Sequence, residues 1–179
     1  MTHTEIIDKL QEEFNLVDKT ASLFTEENFF KELEAGKWSA AQNAYHLFLS
    51  VKPLVGLFSK PEVMLTNWGT CTRASMLYKE LVALYEKMIQ NIIVPASVNP
   101  ASVEGTKTDV INNLNAINQK FIEKAAAFTE EELDTYQIPH PVMGLLTVRE
   151  FLYCTLHHTQ QHHATIQKLL AFLKENSIS

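Results

Sequence analysis

Three histidines have the spacing of a metal-binding site. His158 and His162 lie four residues apart in a segment with helical periodicity, so their side chains are expected one above the other on one helix face. Two imidazoles one helical turn apart can chelate a single metal ion. His46 lies in a second helical segment far upstream. Three neutral imidazoles would leave one coordination position open, which is the mark of a catalytic rather than a structural site.

Each of these histidines also has a purely structural interpretation. A single histidine among apolar neighbours, such as His46, is more often a hydrogen-bonded core residue than a ligand. His158 and His162 are the stronger case, because two unliganded histidines on an inward face would each need a separate partner. The other histidines are predicted to lie outside the site. His157 and His163 are expected at the surface or behind the ligands, and His3 at a frayed terminus. His140 lies between two prolines in a loop, where it could line the mouth of a pocket but is expected to be exposed to solvent.

Other chemistries have less support in the sequence. Cys154 precedes His158 by one helical turn, and a Cys–His pair can form a nucleophile, but a thiol inside an apolar helix is more often inert packing. Cys71 and Cys154 are too few for a disulfide framework. The acidic clusters are typical of solvated faces or helix starts, so no carboxylate pair is assigned to catalysis. No catalytic residue is therefore identified beyond the metal site.

Length, composition and charge limit the class of protein. The chain has 179 residues, 46% of them apolar and 20% charged, which predicts a single folded domain over residues 1–179. The net charge is -6 and Lys and Arg are scattered, which argues against nucleic acid or an anionic membrane as partner. The first residues lack the basic start and apolar stretch of a signal peptide, so none is expected. No run approaches the ~18 apolar residues of a membrane span. These features predict a cytoplasmic protein.

Apolar residues recur at helical spacing through most of the chain. Four residues, each followed three positions later by Glu or Gln, have the spacing of a helix capping box: Thr2, Ser39, Thr129 and Thr147. Pro53 predicts a kink or early end in one helix. Long helices are predicted at 5–23, from Ser39 through His46 toward Phe58, at 72–92, at about 108–128, and from Thr147 to Lys174, the last being about 28 residues and ~40 Å long.

Shorter elements and connections complete the prediction. Short helical elements are expected at 25–34 and after Thr129, whereas 59–70, 94–105 and 139–144 are expected to be connections. The chain shows neither an alternating strand pattern nor a repeat of fixed period. The sequence therefore predicts an all-α bundle with histidines facing inward from two of its helices.

Three stretches of the chain resemble motifs of the DinB/YfiT-like superfamily. Residues 37–41 followed by His46 are similar to its first motif, residues 139–150 to its second and residues 158–162 to its third. The resemblance spans roughly residue 23 to the end of the chain. It implies a four-helix bundle with a long crossover carrying an additional helix, and it leaves open whether the 72–92 helix is the third bundle member or part of that crossover. The family's metal ligands would fall on His46, His158 and His162.

The resemblance also carries an expectation of function. The better-understood branches of the superfamily are thiol S-transferases and isomerases that use low-molecular-weight thiols such as bacillithiol or mycothiol. The chain is thus expected to be a metal-dependent thiol S-transferase that uses a small-molecule thiol and an electrophilic substrate, and to form a homodimer. The charge pattern described above predicts no nucleic-acid or membrane partner. The same site could instead activate water in a hydrolase, or the bundle could bind a metal or small ligand without catalysis. Zinc or nickel is expected, with iron and copper as alternatives, because three imidazoles suit all four.

Overall fold

Eight helices and one short hairpin form the described part of the chain, residues 1–90 and 95–176 of this computed structural model. The elements are α1 (His3–Ser22), α2 (Glu26–Phe30), α3 (Ala40–Phe58), α4 (Pro61–Trp68), α5 (Tyr78–Ile89), a 3₁₀ turn (Ala96–Val98), α6 (Lys107–Ala126), α7 (Glu130–Thr135), β1 (Gln137–His140), β2 (Gly144–Thr147) and α8 (Val148–Asn176).

The four long helices α1, α3, α6 and α8 form the bundle. Helices α1 and α3 each pack against both α6 and α8, so the two pairs alternate around a common core. The long connection from α3 to α6 carries α4 and α5, and α5 packs on α8. The predicted four-helix bundle with a helix-bearing crossover is confirmed, and the helix expected at 72–92 belongs to the crossover.

Local capping explains where the bundle helices begin. The predicted capping boxes at Thr2 and Ser39 are both formed. At the start of α8 the Glu150 N–H donates to Oγ1 of Thr147 at 3.2 Å, while the Thr147 N–H donates to the Glu150 carboxylate at 2.9 Å. These bonds satisfy backbone donors that a helix start leaves unpaired. Helix α3 continues past Pro53 to Phe58, so the early end that the proline could have caused does not occur.

The core consists of two apolar clusters, and the candidate histidines lie where the clusters meet. One cluster contains apolar residues between positions 51 and 58 of α3 and between 148 and 156 of α8. The other contains apolar residues between positions 40 and 47 of α3, and in α8 it begins at Ile166. Both helices are therefore anchored on either side of the histidine positions, which fixes how His46 faces His158 and His162.

Two short strands correct the expectation of a purely helical chain with a connector at 139–144. Strands β1 and β2 pair antiparallel, with Gln137 opposite Thr147 and His140 opposite Gly144. Each strand has only four residues, too few to give a readable alternation. Burial of Ile138 and Leu146 against the bundle stabilises the pair, and Gly144 adopts a positive φ of 74° where β2 begins.

The crossover also differs from its prediction. Residues 59–70, expected to be a connection, contain α4, which begins with Pro61 at its first helical position, where a proline is favourable. The helix expected from residue 72 begins only at Tyr78, because the buried Glu150 carboxylate accepts bonds from the Arg73 guanidinium and the Met76 N–H. These bonds hold residues 73–76 against α8. The predicted end at residue 92 lies outside the described residues.

The remaining boundaries differ by smaller amounts. The element expected at 25–34 is α2, which ends at Phe30 because Lys31 is extended. Helix α6 begins at Lys107 with Thr106 as its N-cap, and Thr129 caps α7 as predicted. Part of the irregular region expected at 94–105 forms the 3₁₀ turn, while residue 94 lies outside the described residues.

Candidate metal centre

Three imidazoles from two helices converge beside a cavity. Nε2 of His158 lies 3.0 Å from Nε2 of His46 and 3.1 Å from Nε2 of His162. One potential ligand atom from each of the three rings lies within 4.8 Å of the others. Two nitrogens bound to one ion at ~2.1 Å each can be at most ~4.2 Å apart. The two short separations therefore allow the rings to share one ion.

Hydrogen bonds on the far ring edges orient two of the three imidazoles. Nδ1 of His46 donates to the backbone carbonyl of Val98 at 2.6 Å, and Nδ1 of His162 donates to Oδ1 of Asn43 at 2.7 Å. The Asn43 oxygen is the acceptor because the amide nitrogen donates to two carbonyls at the start of α3, at 2.8 and 3.3 Å. A neutral imidazole has one N–H, so His46 and His162 both present a bare lone pair at Nε2.

A positive charge between these converging lone pairs would satisfy all three at once. Nε2 of His158 faces both other rings, and a proton on that atom could be donated to only one of them. The Nε2 lone pair of the remaining ring would then lack a hydrogen-bond donor. A divalent cation can accept all three lone pairs, so the residues present fit a metal ion.

Burial disfavours the alternative in which a bound proton supplies the charge. It lowers the pKa of His158 well below its ordinary value, and the neighbouring His162 and His46 lower it further. Burial also lowers the pKa of His162 to about 3. It lowers the pKa of His46 as well, although the bond to Val98 acts in the opposite direction. All three rings are therefore neutral near pH 7, the state in which imidazole binds metals.

Trp38 covers one side of the histidine cluster. Its ring stacks on His162 with the centroids 6.0 Å apart, and it lies tilted against His46 at 4.9 Å. Trp38 stands two residues before α3 begins, next to the Ser39 cap that starts the helix. The local start of α3 thus supplies an aromatic cover for both rings, which limits how far they can turn.

The cluster opens onto a cavity of about 440 Å³, a size typical of small-molecule sites. Among the described residues, the lining contains no Asp, Glu, Lys or Arg side chain. Apolar and aromatic groups form most of the wall, and a few polar side chains interrupt it. Lining residues outside the three-histidine cluster include Trp38, Leu54, Tyr85, His140, Phe151 and Gln161.

Two of the other histidines differ from their predicted positions. His140 was expected to be exposed, but it lines the cavity, because the hairpin folds residue 140 back against the bundle. His3 was expected at a frayed terminus. Its ring Nε2 instead lies 3.0 Å from the carbonyl oxygen of Ala125, and its backbone N–H donates to the Glu130 carboxylate at 2.7 Å. Helices α6 and α7 therefore hold the start of α1 in place.

The histidines next to the proposed ligands lie outside the cluster, as predicted. Nε2 of His157 lies 3.4 Å from the Glu86 carboxylate. His163 is buried rather than at the surface, since Nδ1 pairs with the Glu13 carboxylate at 2.6 Å and Nε2 lies 3.0 Å from the Thr20 hydroxyl. His163 therefore has its own partners on α1, whereas Nε2 of His157 lies near Glu86 of α5 without a hydrogen bond among the described residues.

Cys154 has the properties of a packing residue. It is buried, and its Sγ lies 3.9 Å from Sδ of Met143. Burial raises the pKa of the thiol to about 12, and the negative charge of Glu150 contributes to the shift. Thiolate is therefore scarce at neutral pH, which favours the packing interpretation over a Cys–His nucleophile.

Sequence reasoning missed the groups that orient the ligands. Asn43 precedes His46 by three residues, which places the two side chains on the same face of α3; this spacing was a usable signal. No comparable signal pointed to the Val98 carbonyl, because a backbone oxygen in the crossover cannot be paired with a ligand before the fold is known.

Several solved structures share this fold at low sequence identity. YfiT from Bacillus subtilis, described as a probable metal-dependent hydrolase with an unusual four-helix bundle topology, is 17% identical with a TM-score of 0.64, covering 96% of this chain and 87% of its own. A DinB-like protein from Bacillus cereus is 14% identical with a TM-score of 0.61, covering 97% and 93%. The colibactin self-resistance protein ClbS, solved in complex with a dsDNA, is 16% identical with a TM-score of 0.58, covering 94% and 95%.

Sequence comparison identifies the family. No curated protein matches the chain. In the described part of the chain, no helix combines the length and apolar character needed to cross a membrane. The family model of the DinB superfamily, however, matches residues 9–166, most of the sequence. The chain therefore belongs to the DinB superfamily.

Proposed function

We propose that the chain is a metal-dependent enzyme in which His46, His158 and His162 hold one divalent cation beside the cavity. The convergence of three neutral imidazoles, without a carboxylate in the described lining, supports this proposal most directly. When bound there, the ion would lower the pKa of a thiol or water at its open position, so that the nucleophile would be an anion at neutral pH. Neutral ligands leave the ion's charge uncompensated, which favours such an anionic partner.

The reaction that we propose is transfer of a low-molecular-weight thiol to an electrophilic substrate. A free thiol has a pKa of ~8.5 and needs little assistance to ionise. The described lining of the cavity offers no carboxylate as a general base for water, which supports a thiol as the nucleophile. The rings of Trp38, Tyr85 and Phe151 line the cavity and would hold an apolar substrate while excluding water.

Hydrolysis is the second candidate. YfiT, which shares the fold, is described as a probable metal-dependent hydrolase, and the same three imidazoles could hold an ion that activates water. The cavity would then hold the compound to be hydrolysed. A bundle that binds a metal or small ligand without turnover is the non-catalytic alternative.

The metal, the assembly and the location are further parts of the proposal. Three imidazoles suit zinc or nickel, with iron and copper as alternatives. The homodimer rests on the family resemblance, and the cytoplasmic location rests on the sequence composition and hydropathy. ClbS has been solved with dsDNA, but a net charge of -6 and scattered Lys and Arg in this chain favour small-molecule partners. Light scattering of the purified protein would test the dimer, and a gel shift would test for DNA binding.

One set of assays separates the three functions. Zinc- or nickel-loaded protein would be incubated with chlorodinitrobenzene and a thiol, and separately with nitrophenyl acetate alone. Thiol consumption that requires both metal and protein supports the transferase, whereas turnover without thiol supports the hydrolase. A protein that binds metal but turns over neither compound leaves the non-catalytic alternative.

Two variants identify the nucleophile in these assays. His46→Ala should abolish activity, because it removes one proposed ligand. Cys154→Ser should retain most activity, because the external thiol rather than the buried protein thiol is the nucleophile. An inactive Cys154→Ser with normal metal content would contradict the transferase proposal and favour a mechanism through the protein's own thiol.

A further inference from the structure

The hairpin fixes the tautomer of His140. Nδ1 of its ring accepts hydrogen bonds from the backbone N–H groups of Val142 and Met143, at 3.2 and 3.3 Å. Both donors belong to the turn between β1 and β2, so the ring is oriented by the hairpin itself. A neutral imidazole has one N–H and one lone pair. Because the lone pair is at Nδ1, the proton is at Nε2, and this N–H is a donor of fixed direction.

The ring of His140 lies in the wall of the cavity that borders the three-histidine cluster. It packs against Phe151 with the centroids 5.4 Å apart, and against the edge of Tyr85 at 6.1 Å. Burial lowers its pKa to about 4, which keeps the ring neutral near pH 7. Among the described residues, no acceptor bonds to its Nε2. This donor is therefore free to bond to a molecule in the cavity.

A second donor stands near the first. The hydroxyl group of Tyr85 has no hydrogen-bond partner among the described residues, and Tyr85 lines the same cavity. These two donors, with the polar side chains of Ser97 and Gln161, interrupt the otherwise mostly apolar walls of the cavity. The absence of charged side chains from its described lining favours an uncharged ligand. Such a ligand needs an apolar body and an acceptor oxygen.

We propose that His140 is a substrate-binding residue whose Nε2–H donates to the carbonyl oxygen of an otherwise apolar, uncharged substrate. This proposal rests on the proposed function only in placing the substrate in this cavity. A hydrogen bond to a carbonyl oxygen both orients the molecule and draws electron density from it. An electrophile whose reacting carbon is a carbonyl carbon, or is conjugated to one, would become more reactive in this position.

Two probes and two variants test the proposal. Acetophenone and ethylbenzene have similar shapes, but only acetophenone has a carbonyl acceptor. His140→Asn keeps an acceptor near the position of Nδ1 for the turn and loses the donor that faces the cavity. His140→Gln keeps a donor near the position of Nε2. The affinities of zinc-loaded full-length protein for both probes would be measured by NMR titration, with metal content and melting temperature recorded for each variant.

The expected result is a change in preference between the probes. The ratio of the ethylbenzene to the acetophenone dissociation constant should fall about three- to tenfold in His140→Asn, the effect of one hydrogen bond. The ratio should stay within about twofold of wild type in His140→Gln. An unchanged ratio in His140→Asn, or no binding of either probe to wild type, would overturn the proposal.

Two further readouts keep the result independent of folding and of the proposed function. Nitrogen-detected histidine spectra of wild type should show the proton of His140 at Nε2, and a proton at Nδ1 would overturn the proposal without any variant. If wild type shows the expected probe preference but binds no metal, the proposed function fails while the role of His140 stands. If wild type binds metal and consumes thiol, but the ratio of probe dissociation constants is unchanged in His140→Asn, the proposed function stands and the role of His140 fails.

Discussion

Oδ1 of Asn43 lies 2.7 Å from Nδ1 of His162 and joins helix α3 to helix α8 beside the histidine cluster. The bond fixes the ring of His162 with its Nε2 lone pair toward His158. Because Asn43 is itself held by the carbonyls at the start of α3, the capping of one helix determines the orientation of a proposed ligand on another.

Asn43→Ala should weaken metal binding about 10- to 100-fold, since it removes the group that orients His162 and fixes its tautomer. Competition with a chelator of known affinity would measure the change. Asn113→Ala, an exposed substitution on α6, is the matched control and should bind metal like wild type. Equal affinity in Asn43→Ala and the control would contradict the orienting role.

Glu150→Ala should destabilise the fold more than the loss of an exposed ion pair. The buried carboxylate accepts from both Arg73 amino groups at 2.6 and 2.7 Å, from the Met76 N–H at 2.7 Å and from the Thr147 N–H at 2.9 Å. Its removal leaves two backbone donors without their acceptor and should lower the free energy of unfolding by about 2–3 kcal/mol. Urea unfolding would measure this loss.

The control for that experiment is Glu123→Ala. Glu123 is exposed and pairs with Lys124, so its removal should leave the urea midpoint nearly unchanged. Equal midpoints for Glu150→Ala and wild type would show that the carboxylate does not stabilise the junction between the crossover and α8.

Acidification should destabilise the metal-free protein between pH 7 and pH 5. The pKa values of His46, His158 and His162 are lowered in the folded state, and that of His140 falls to about 4. The unfolded chain therefore takes up protons near pH 6.5 that the folded chain does not, so stability is full above that pH and is lost as the pH falls toward 4. We expect a loss of up to about 2 kcal/mol for each of these histidines by pH 5.

Urea unfolding at pH 7 and pH 5 would measure this dependence. Glu150 and Asp134 have pKa values lowered from 4.5 and 3.8, so their loss of stabilisation begins below this window. Stability that is equal or higher at pH 5 would contradict the neutral state assigned to the four histidines.

Metal binding should change the fluorescence of Trp38. Its ring contacts His46 and His162, so an ion that draws electron density from both imidazoles should alter its emission. The chain has two tryptophans, and Trp68, at the end of α4, provides the control. The metal-dependent signal should persist in Trp68→Phe and disappear in Trp38→Phe. A signal that persists in Trp38→Phe would contradict this arrangement.

Signals that are local in sequence were readable in advance. The capping boxes at Thr2, Ser39 and Thr147 and the apolar periodicity predicted where the bundle helices lie, because both depend on residues within one or two turns. The spacing of His158 and His162 placed them on one face for the same reason. His46 was a third candidate from its own helical segment, and the family resemblance then matched it to a ligand position.

Features that depend on tertiary contacts were not readable. The hairpin depends on burial of Ile138 and Leu146, which no four-residue strand reveals by itself. The late start of α5 depends on Glu150, about 75 residues away in sequence. Nor could the direction of the His140 ring be inferred, because the turn that orients it had been expected to be a simple connector.

Metal analysis of the His158→Ala/His162→Ala double variant tests the central claim most directly. Protein purified without a histidine tag and exposed to zinc or nickel should hold close to one ion per chain. The double variant and His46→Ala should each hold almost none, with helical content unchanged by circular dichroism. His157→Ala, the neighbouring histidine outside the cluster, should match wild type. Equal metal content in wild type and the double variant would contradict the proposed three-histidine site.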